Sequence, residues 1–260
     1  MKKLVLILVL LFLAGCSSFN AQDVMNKALK NLYVAKSVTV ELETKVDVGN
    51  GIEMAATGIL KHNLEDRDFS GSLTFLFMNY EVLYKDGYLY TYDSIDKVKQ
   101  KVNYEENYDV YEALNFENFN FNLKNYFKNI KTTKKDGNYI ISADLNVDSV
   151  MKEYEKYERN NDFSSMDYGI KAKKTRFKFI VGPDFQLRSI EFDFNISGDS
   201  EYTGNMLERI KFKGSLTFSD INNTKVQLPH DVDEYLEENI FEDALEISTE
   251  MNSSGVELNQ

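Results

Sequence analysis

Residues 37–48 alternate apolar and polar side chains, with Val38, Val40 and Leu42 on one side and Thr39 on the other. Successive side chains of a β-strand point to opposite faces, so this period of two predicts a strand with one buried face. Antiparallel sheets commonly pack one face on a core and leave the other in water. The segment therefore predicts an antiparallel sheet.

The same alternation recurs along most of the chain. Further strands are predicted at 52–61, 69–77, 80–92, 131–135, 138–145, 173–181, 186–197 and 207–219. Asp86-Gly87 and Asp136-Gly137 lie inside such runs, and Asp-Gly is a strong signal for a two-residue hairpin turn. Many neighbouring strands are therefore predicted to pair as hairpins.

A period of three to four predicts helices elsewhere. Val24, Met25 and Ala28 follow Asp23, which predicts an amphipathic helix from an Asp23 N-cap to about Ala35. Weaker helical patterns are predicted at 119–129 and 148–160, and in an amphipathic segment that begins at Asp231. The last dozen residues have a composition typical of disordered tails.

The N-terminal residues show neither the strand period nor the helix period of these segments. Lys2 and Lys3 precede an apolar run at 4–14, which is the pattern of a secretory signal peptide. The run is too short for a transmembrane helix, which needs about 20 apolar residues. Residues 13–16, Leu-Ala-Gly-Cys, resemble the bacterial lipobox.

The lipobox resemblance implies cleavage before Cys16 and acylation of its thiol, with palmitate as the expected type of chain. The alternative is an ordinary signal or an uncleaved anchor with a chance cysteine. Several acyl chains hold a protein on a membrane far better than one chain does. The expected location is therefore the outer face of the cytoplasmic membrane, in the cell envelope.

Composition narrows the set of partners. The 260-residue chain has a net charge of −12, one cysteine and no tryptophan. Nucleic acid is an improbable partner because phosphate binding needs a concentrated basic face. No disulfide within the chain is possible, so the fold must be held by its core.

The order of these parts resembles the LolA/LolB-like superfamily and related lipoproteins of low-GC bacteria. The likeness rests on the lipobox, the helix VMNKALKNL, the strand SVTVELETKV, the hairpin YKDGYLYTY and the final strand leading to Leu228-Pro229. The resemblance implies an α+β fold: a strongly curved antiparallel sheet, or unclosed barrel, with helices packed on its concave face. It also implies an apolar cavity between sheet and helices.

The predicted organisation has four parts. They are a signal peptide at 1–15, the lipidated cysteine and a tether at 16–22, a LolA-like domain at 23–229, and an acidic helical extension with a disordered tail at 230–260.

Aromatic side chains on the predicted strands are the candidates for lining such a cavity. They are Phe75, Phe77, Tyr80, Tyr84, Tyr90, Phe177, Phe179, Phe192 and Phe194. The alternative is that these rings only fill the core, since Phe on the inner face of a strand normally packs. In the functional interpretation, some of them line a groove that accepts an acyl chain.

Catalytic and metal-binding chemistry is not indicated. His62 and His230 fall outside any ligand spacing, and the acidic group around Asp231 is typical of a solvated face, with a weak calcium site as the sharper alternative. No nucleophile elbow, phosphate loop or dinucleotide fingerprint is present in the sequence. We therefore expect no enzyme, no metal and no cofactor.

Two functions from different classes fit these patterns. The first is a membrane-anchored lipoprotein that binds a lipid or another apolar ligand between sheet and helices. The second is an envelope interaction or sensor module with a filled core and a protein or polymer partner.

Overall fold

The computed structural model describes residues 19–49, 52–103, 122–150, 152, 171–197 and 210–237. In these ranges the chain forms one large open sheet with two edges and few helices. The strands are β1 (Ser37–Asp47), β2 (Glu53–Asn63), β3 (Asp68–Phe75), β4 (Met78–Lys85), β5 (Tyr88–Asp93), β6 (Val98–Asn103), β7 (Phe127–Lys135), β8 (Asn138–Leu145), β9 (Lys171–Val181), β10 (Leu187–Ser197), β11 (Ile210–Ser219) and β12 (Leu236–Glu237). The helices are α1 (Ala21–Tyr33), α2 (Leu123–Tyr126) and one turn of 3-10 helix at Val232–Glu234.

The sheet consists of two meanders joined side by side. Its order is β12-β6-β5-β4-β3-β2-β1-β11-β10-β9-β8-β7. All neighbours are antiparallel except β12 and β6, which are parallel. The meanders meet where β1 pairs with β11 from Thr39↔Ser219 to Asp47↔Lys211.

The pairing register defines two faces of the sheet. Residues directly opposite each other in an antiparallel pair lie on the same face. One row across the strands runs Ile141, Phe179, Ile190, Leu216, Leu42, Gly58, Leu73 and Tyr80. We call the face that carries this row the apolar face. The other face carries charged and hydroxyl side chains on β1, such as Thr39, Glu41 and Glu43, and we call it the polar face.

Helix α1 covers the apolar face at β7–β10. Its stripe of Val24, Met25 and Ala28 is buried because the three-and-four spacing places these side chains on one side of the helix. The core that they form with the strands contains Leu123, Phe127, Ile141, Ala143, Phe179, Val181 and Leu187. Within the described residues, helix packing of this kind is seen on this half of the sheet.

The polar face of the other half is covered by residues 220–237, which we call the C-terminal strap. The Thr224 amide donates to Ser37 Oγ, and the Thr39 and Thr224 hydroxyl oxygens are 3.0 Å apart. Val226 is buried against Leu83 and Tyr90. The strap ends as β12, beside the edge strand β6.

Several predicted boundaries are wrong. Helix α1 begins at Ala21 with Asn20 as its N-cap, because the Asn20 side chain accepts from the Gln22 amide at 3.0 Å. Of the helix predicted at 119–129, the part described from residue 122 is one turn, and β7 already begins at Phe127. The asparagines of this segment compete for backbone groups and shorten the helix.

Other predictions concern segments that are only partly described. The helix predicted at 148–160 is described at its start, where residues 147–150 are helical, and the remainder lies largely outside the described residues. The extension predicted to be helical from 230 is described to Glu237. That part forms a 3-10 turn and a short strand instead of an amphipathic helix, because Val232 and Tyr235 pack on the sheet.

Candidate functional site

The apolar face of β2–β4 keeps large side chains open to solvent. Leu60 is 46% exposed, Leu73 is 42% exposed and Tyr80 is 40% exposed. Each lies on an interior strand of the sheet, where an apolar face normally packs against another layer. Exposed apolar side chains that lie together mark a binding surface more often than single, scattered ones do.

Glycines explain why Leu60 and Leu73 stand open. Leu60 is opposite Gly71, and Leu73 is opposite Gly58, so each leucine lacks a side chain beside it on the neighbouring strand. A Cβ at position 58 would lie 3.4 Å from Leu73 Cδ1, and one at position 71 would lie 3.8 Å from Leu60 Cδ1. Each leucine side chain therefore lies over the glycine opposite it, and no side chain at that glycine position covers the leucine from the solvent.

A second row of the apolar face is made of small residues. Gly214, Thr44 and Ala56 are directly opposite one another on β11, β1 and β2. The row is bounded by Phe192 on β10 and by Phe75 on β3. Three strands at a spacing of about 4.8 Å make this row of small side chains roughly 14 Å long. We call it the low row.

The low row is continuous with a cluster of aromatic rings. Phe177 lies opposite Phe192, and its ring centroid is 5.0 Å from that of Phe194. Phe192 and Phe194 are stacked at 5.6 Å. Phe177 and Phe179 are stacked at 5.8 Å. The rings thus extend from the helix-covered core to the open part of the apolar face.

The aromatic candidates from the sequence separate into four groups. Phe75, Tyr80, Tyr84, Phe192 and Phe194 lie on the apolar face outside the core cluster. Phe177 lies at the border of the core, and Phe179 is 4% exposed, within it. Phe77 lies in the β3–β4 turn and is 83% exposed. Tyr90 lies on the polar face, where it packs against Tyr235 at 5.5 Å.

The placement of Tyr90 follows from the hairpin and was available in the sequence. In a two-residue hairpin Lys85 opposes Tyr88, so Tyr84 opposes Leu89 and Leu83 opposes Tyr90. Tyr84 and Tyr90 therefore point to opposite faces. The Asp-Gly turn indicated this register, but aromatic character alone did not.

Glycines are the part of the site that aromatic patterns did not indicate. Gly58, Gly71 and Gly214 each interrupt a strand, and an isolated glycine in a strand often marks a close approach or a site without a side chain. That signal was present in the sequence. Only the register places the three glycines on one face.

His62 is the ionisable side chain at one end of the apolar face. It lies opposite Val38 on β1 and Phe69 on β3. Burial beside these apolar groups lowers the pKa of His62 below its usual value near 6.5. A neutral imidazole at pH 7 is compatible with an apolar site.

A small cavity lies at the C-terminal end of α1, between the helix, the β9–β10 turn and the start of the strap. It has a volume of about 170 Å³. Its lining mixes polar and apolar side chains, among them Asn31, Leu32, Asp184 and Asn222. This cavity is separate from the low row.

Metal and membrane-spanning features are not found in the described part of the chain. Asp231 and Glu234 both accept hydrogen bonds from the Lys99 ammonium. No group of three or more His, Cys, Asp or Glu side chains there is placed to hold a metal ion. None of the helices in the described ranges is long and apolar enough to cross a bilayer. Cys16 lies outside the described residues.

Comparisons with known proteins identify similar solved structures. No protein-family model matches the chain, and no curated protein matches it. An uncharacterized conserved protein from Thermus thermophilus is 10% identical, with a TM-score of 0.34, over 84% of this chain and 99% of that one. The LolA superfamily protein NE2245 from Nitrosomonas europaea is 10% identical, with a TM-score of 0.26, over 83% of this chain and 97% of that one.

Proposed function

We propose that this chain is an extracytoplasmic lipoprotein, anchored through acyl chains on Cys16, that binds an acyl chain or another elongated apolar ligand on the apolar face. The observation that carries the proposal is the exposure of Leu60, Leu73 and Tyr80 beside the low row. The resemblance of the sequence to the LolA/LolB-like superfamily supports the same assignment.

The energetics favour an apolar occupant. Burying a fully exposed leucine or aromatic side chain contributes about 1.5–3 kcal/mol, so covering one that is nearly half exposed contributes about half of that. Leu73 lies diagonally across from Leu60 and two residues before the half-buried Phe75 on the same face, so one elongated ligand can cover all three. The small side chains of the low row leave room for a chain-like molecule to lie flat on the sheet.

The chemistry of the low row argues against a charged ligand. Gly214, Thr44 and Ala56 carry no ionisable group, and the rows beside them are mainly aliphatic and aromatic. The nearest acidic partner in register is Asp93, which opposes Tyr80 at one end of its row. A ligand with an apolar chain and a polar end at Tyr80 and Asp93 fits this distribution.

The anchor brings the apolar face to a source of lipid. A charged start, a short apolar run and the Leu-Ala-Gly-Cys motif support cleavage before Cys16. Acyl chains on the thiol would hold the sheet beside the bilayer surface. Acyl chains are then the most abundant apolar molecules within reach of the site.

Purification from a bacterial membrane fraction followed by mass spectrometry tests the proposal. The N-terminal peptide should begin at Cys16 and carry acyl chains, and native spectra should show a lipid that co-purifies. The delipidated chain should then bind a fluorescent fatty acid. Replacing Leu60→Gln should weaken that binding about tenfold, since it removes about 1.4 kcal/mol of apolar contact.

The preceding residue supplies a matched control. Ile59 is 43% exposed on the same strand, but it points to the polar face. Replacing Ile59→Gln should leave fatty-acid affinity unchanged. Equal effects of the two substitutions, or a packed interior that binds no fatty acid at any concentration, would reject lipid binding.

One observation favours the rival function. Leu76 and Phe77 form an apolar hairpin tip, at which Leu76 is 52% and Phe77 is 83% exposed. An exposed aromatic tip suits insertion into a pocket of a protein partner. A chain that carries no lipid after purification but retains a partner protein would support this interaction module instead.

A further inference from the structure

The tether leads directly to an aromatic cluster at one end of the sheet. Phe19 comes three residues after Cys16, and its ring contacts the Tyr139 ring edge-on at 5.0 Å. Three residues of chain span at most about 11 Å. A cysteine embedded in the bilayer would therefore hold this end of the sheet at the lipid headgroups.

Cations surround the same rings. The Tyr139 ring stacks on Phe185 at 5.4 Å. Lys27 Nζ lies 4.5 Å from the centre of the Phe185 ring, and Lys134 Nζ lies 5.0 Å from the centre of the Tyr139 ring. Lys135 lies at the same end of β7 but on the opposite face of the sheet. Together these residues form an end surface that we call the tether-end patch. Its members are Phe19, Lys27, Lys134, Lys135, Tyr139 and Phe185.

The charge of this end differs from that of the chain. The whole chain has a net charge of −12. At this end, in α1, the second half of β7, the β7–β8 and β9–β10 turns and the start of β10, there are six basic side chains and three acidic ones. The basic ones are Lys27, Lys30, Lys131, Lys134, Lys135 and Arg188, and the acidic ones are Asp23, Asp136 and Asp184. Arg188 and Asp184 are paired at 2.7 Å, so the lysines dominate.

We propose that the tether-end patch docks on an anionic bilayer surface and so fixes the orientation of the anchored sheet. The proposal rests on the anchor at Cys16. Lysines close to an anionic membrane are attracted to it, and aromatic rings favour the interface between headgroups and acyl chains. Because salt screens charges beyond about 10 Å, the acidic remainder of the molecule does not cancel this local attraction.

Docking of the patch would fix the orientation of the sheet relative to the bilayer. The patch lies at the end of the sheet that contains the β7–β8 and β9–β10 turns, whereas the Leu76–Phe77 tip lies at the opposite end of its strands. A docked patch would keep the tip away from the bilayer. Without the patch, a tether of a few residues would leave the domain free to rotate.

Chemical anchoring gives a direct test that does not depend on lipidation in cells. The chain from residue 16 to 260 has one cysteine, so Cys16 can be coupled to a maleimide lipid in vesicles. The vesicles contain phosphatidylcholine alone or with phosphatidylglycerol. An amine-reactive reagent then labels exposed lysines, and peptide mass spectrometry reports the rate at each lysine.

On the anionic vesicles, Lys27, Lys134 and Lys135 should be labelled about fivefold more slowly than on the neutral ones. High salt should remove the difference. Lys97 and Lys213 are exposed toward the opposite end of the sheet and should react equally on both vesicles.

Two variants sharpen the result. Lys134→Gln with Lys135→Gln should abolish the protection of Lys27, whereas Lys97→Gln with Lys213→Gln should preserve it with the same change of charge. Equal labelling of the patch on both vesicles would overturn the proposal. So would equal protection of Lys27 by soluble polyphosphate added to neutral vesicles, because the surface would then recognise any polyanion.

The two proposals fail in distinguishable ways. An unmodified Cys16 in the native protein would reject the anchor and leave the vesicle measurement unaffected. Unprotected lysines on anionic vesicles would reject the docking surface and leave the anchor and the lipid site standing.

Discussion

At the scale of single residues, Asp68 and Lys85 form an ion pair that is largely buried. Asp68 is 3% exposed, and its carboxylate accepts a hydrogen bond from the Lys85 ammonium. This hydrogen bond is the main reason that the pKa of Lys85 is raised above its usual value. A buried carboxylate is tolerated because its partner is present.

Removing that partner should be costly. Replacing Lys85→Met should lower the free energy of unfolding by about 3 kcal/mol, because it leaves the Asp68 carboxylate buried without its cation. Urea denaturation measures the change. The matched control is Lys36→Met, whose partner Glu65 is 63% exposed, and it should change stability by less than about 1 kcal/mol. Similar values for both variants would contradict the assignment.

At the scale of elements, the C-terminal strap is held at both ends in different ways. Its start is fixed by hydrogen bonds around Thr224, and its end is fixed by Lys99, which binds Asp231 and Glu234. Tyr235 packs between these groups and Tyr90, and burial is the main cause of its raised pKa. The strap thereby covers Leu83 and Tyr90, the apolar side chains that lie on the polar face.

The contact with Lys99 should make the strap sensitive to acid. The Lys99 ammonium lowers the pKa of Asp231 below its usual value near 3.8. A lowered carboxyl pKa contributes stability above the unfolded value, and this contribution is lost as the pH falls through the folded value. We therefore expect the strap to loosen below about pH 4.

Hydrogen exchange of the strap, relative to the core strands β8 and β9, measures this loosening. Residues 226–237 should exchange faster at pH 3 than at pH 6 after correction for intrinsic rates. A Lys99→Met variant should exchange quickly at both values. If the strap of the Lys99→Met variant were as protected from exchange at pH 6 as the strap of the original protein, the charges would not be what holds it.

At the scale of the whole molecule, the β1–β11 ladder is the connection between the two meanders. Gly214 lies in this ladder, and a Cβ there would be 2.2 Å from the Glu43 carbonyl oxygen. That distance is far below van der Waals contact, and the obstacle is backbone. The two strands can approach closely only because position 214 has no side chain.

Replacing Gly214→Ala should therefore destabilise the whole sheet. We expect the free energy of unfolding to fall by about 3 kcal/mol, and hydrogen-exchange protection to fall in both meanders together. Gly71→Ala is the matched control, since its Cβ would meet a Val82 methyl group at 3.3 Å, which can shift. Loss of protection in one meander alone would show that the halves fold independently.

Much of the fold was predictable because its signals are local. The period of two located β1, β8 and β10 to within two residues, and the first Asp-Gly turn has the expected positive φ values, 52° at Asp86 and 80° at Gly87. The strands β6 and β12 were missed. β6, with the sequence VKQKVN, is short and polar, and β12 has two residues that form a strand only because β6 lies beside them.

The candidate site was predictable in part. Alternation indicated that Phe75, Phe192 and Phe194 point to the apolar side. It did not separate the buried Phe179 from these half-buried rings, because burial depends on where α1 packs.

By itself, the sequence determined which residues form most of the strands, where the hairpins turn and which side of each strand is apolar, since these properties depend on neighbours a few residues away. Only the tertiary structure decided that β1 pairs with β11, that α1 covers β7–β10, and that Phe19 brings the tether to Tyr139 and its lysines. Those contacts join residues that are far apart in the chain, and no local period specifies them. The open apolar face of β2–β4 is a consequence of those long-range choices.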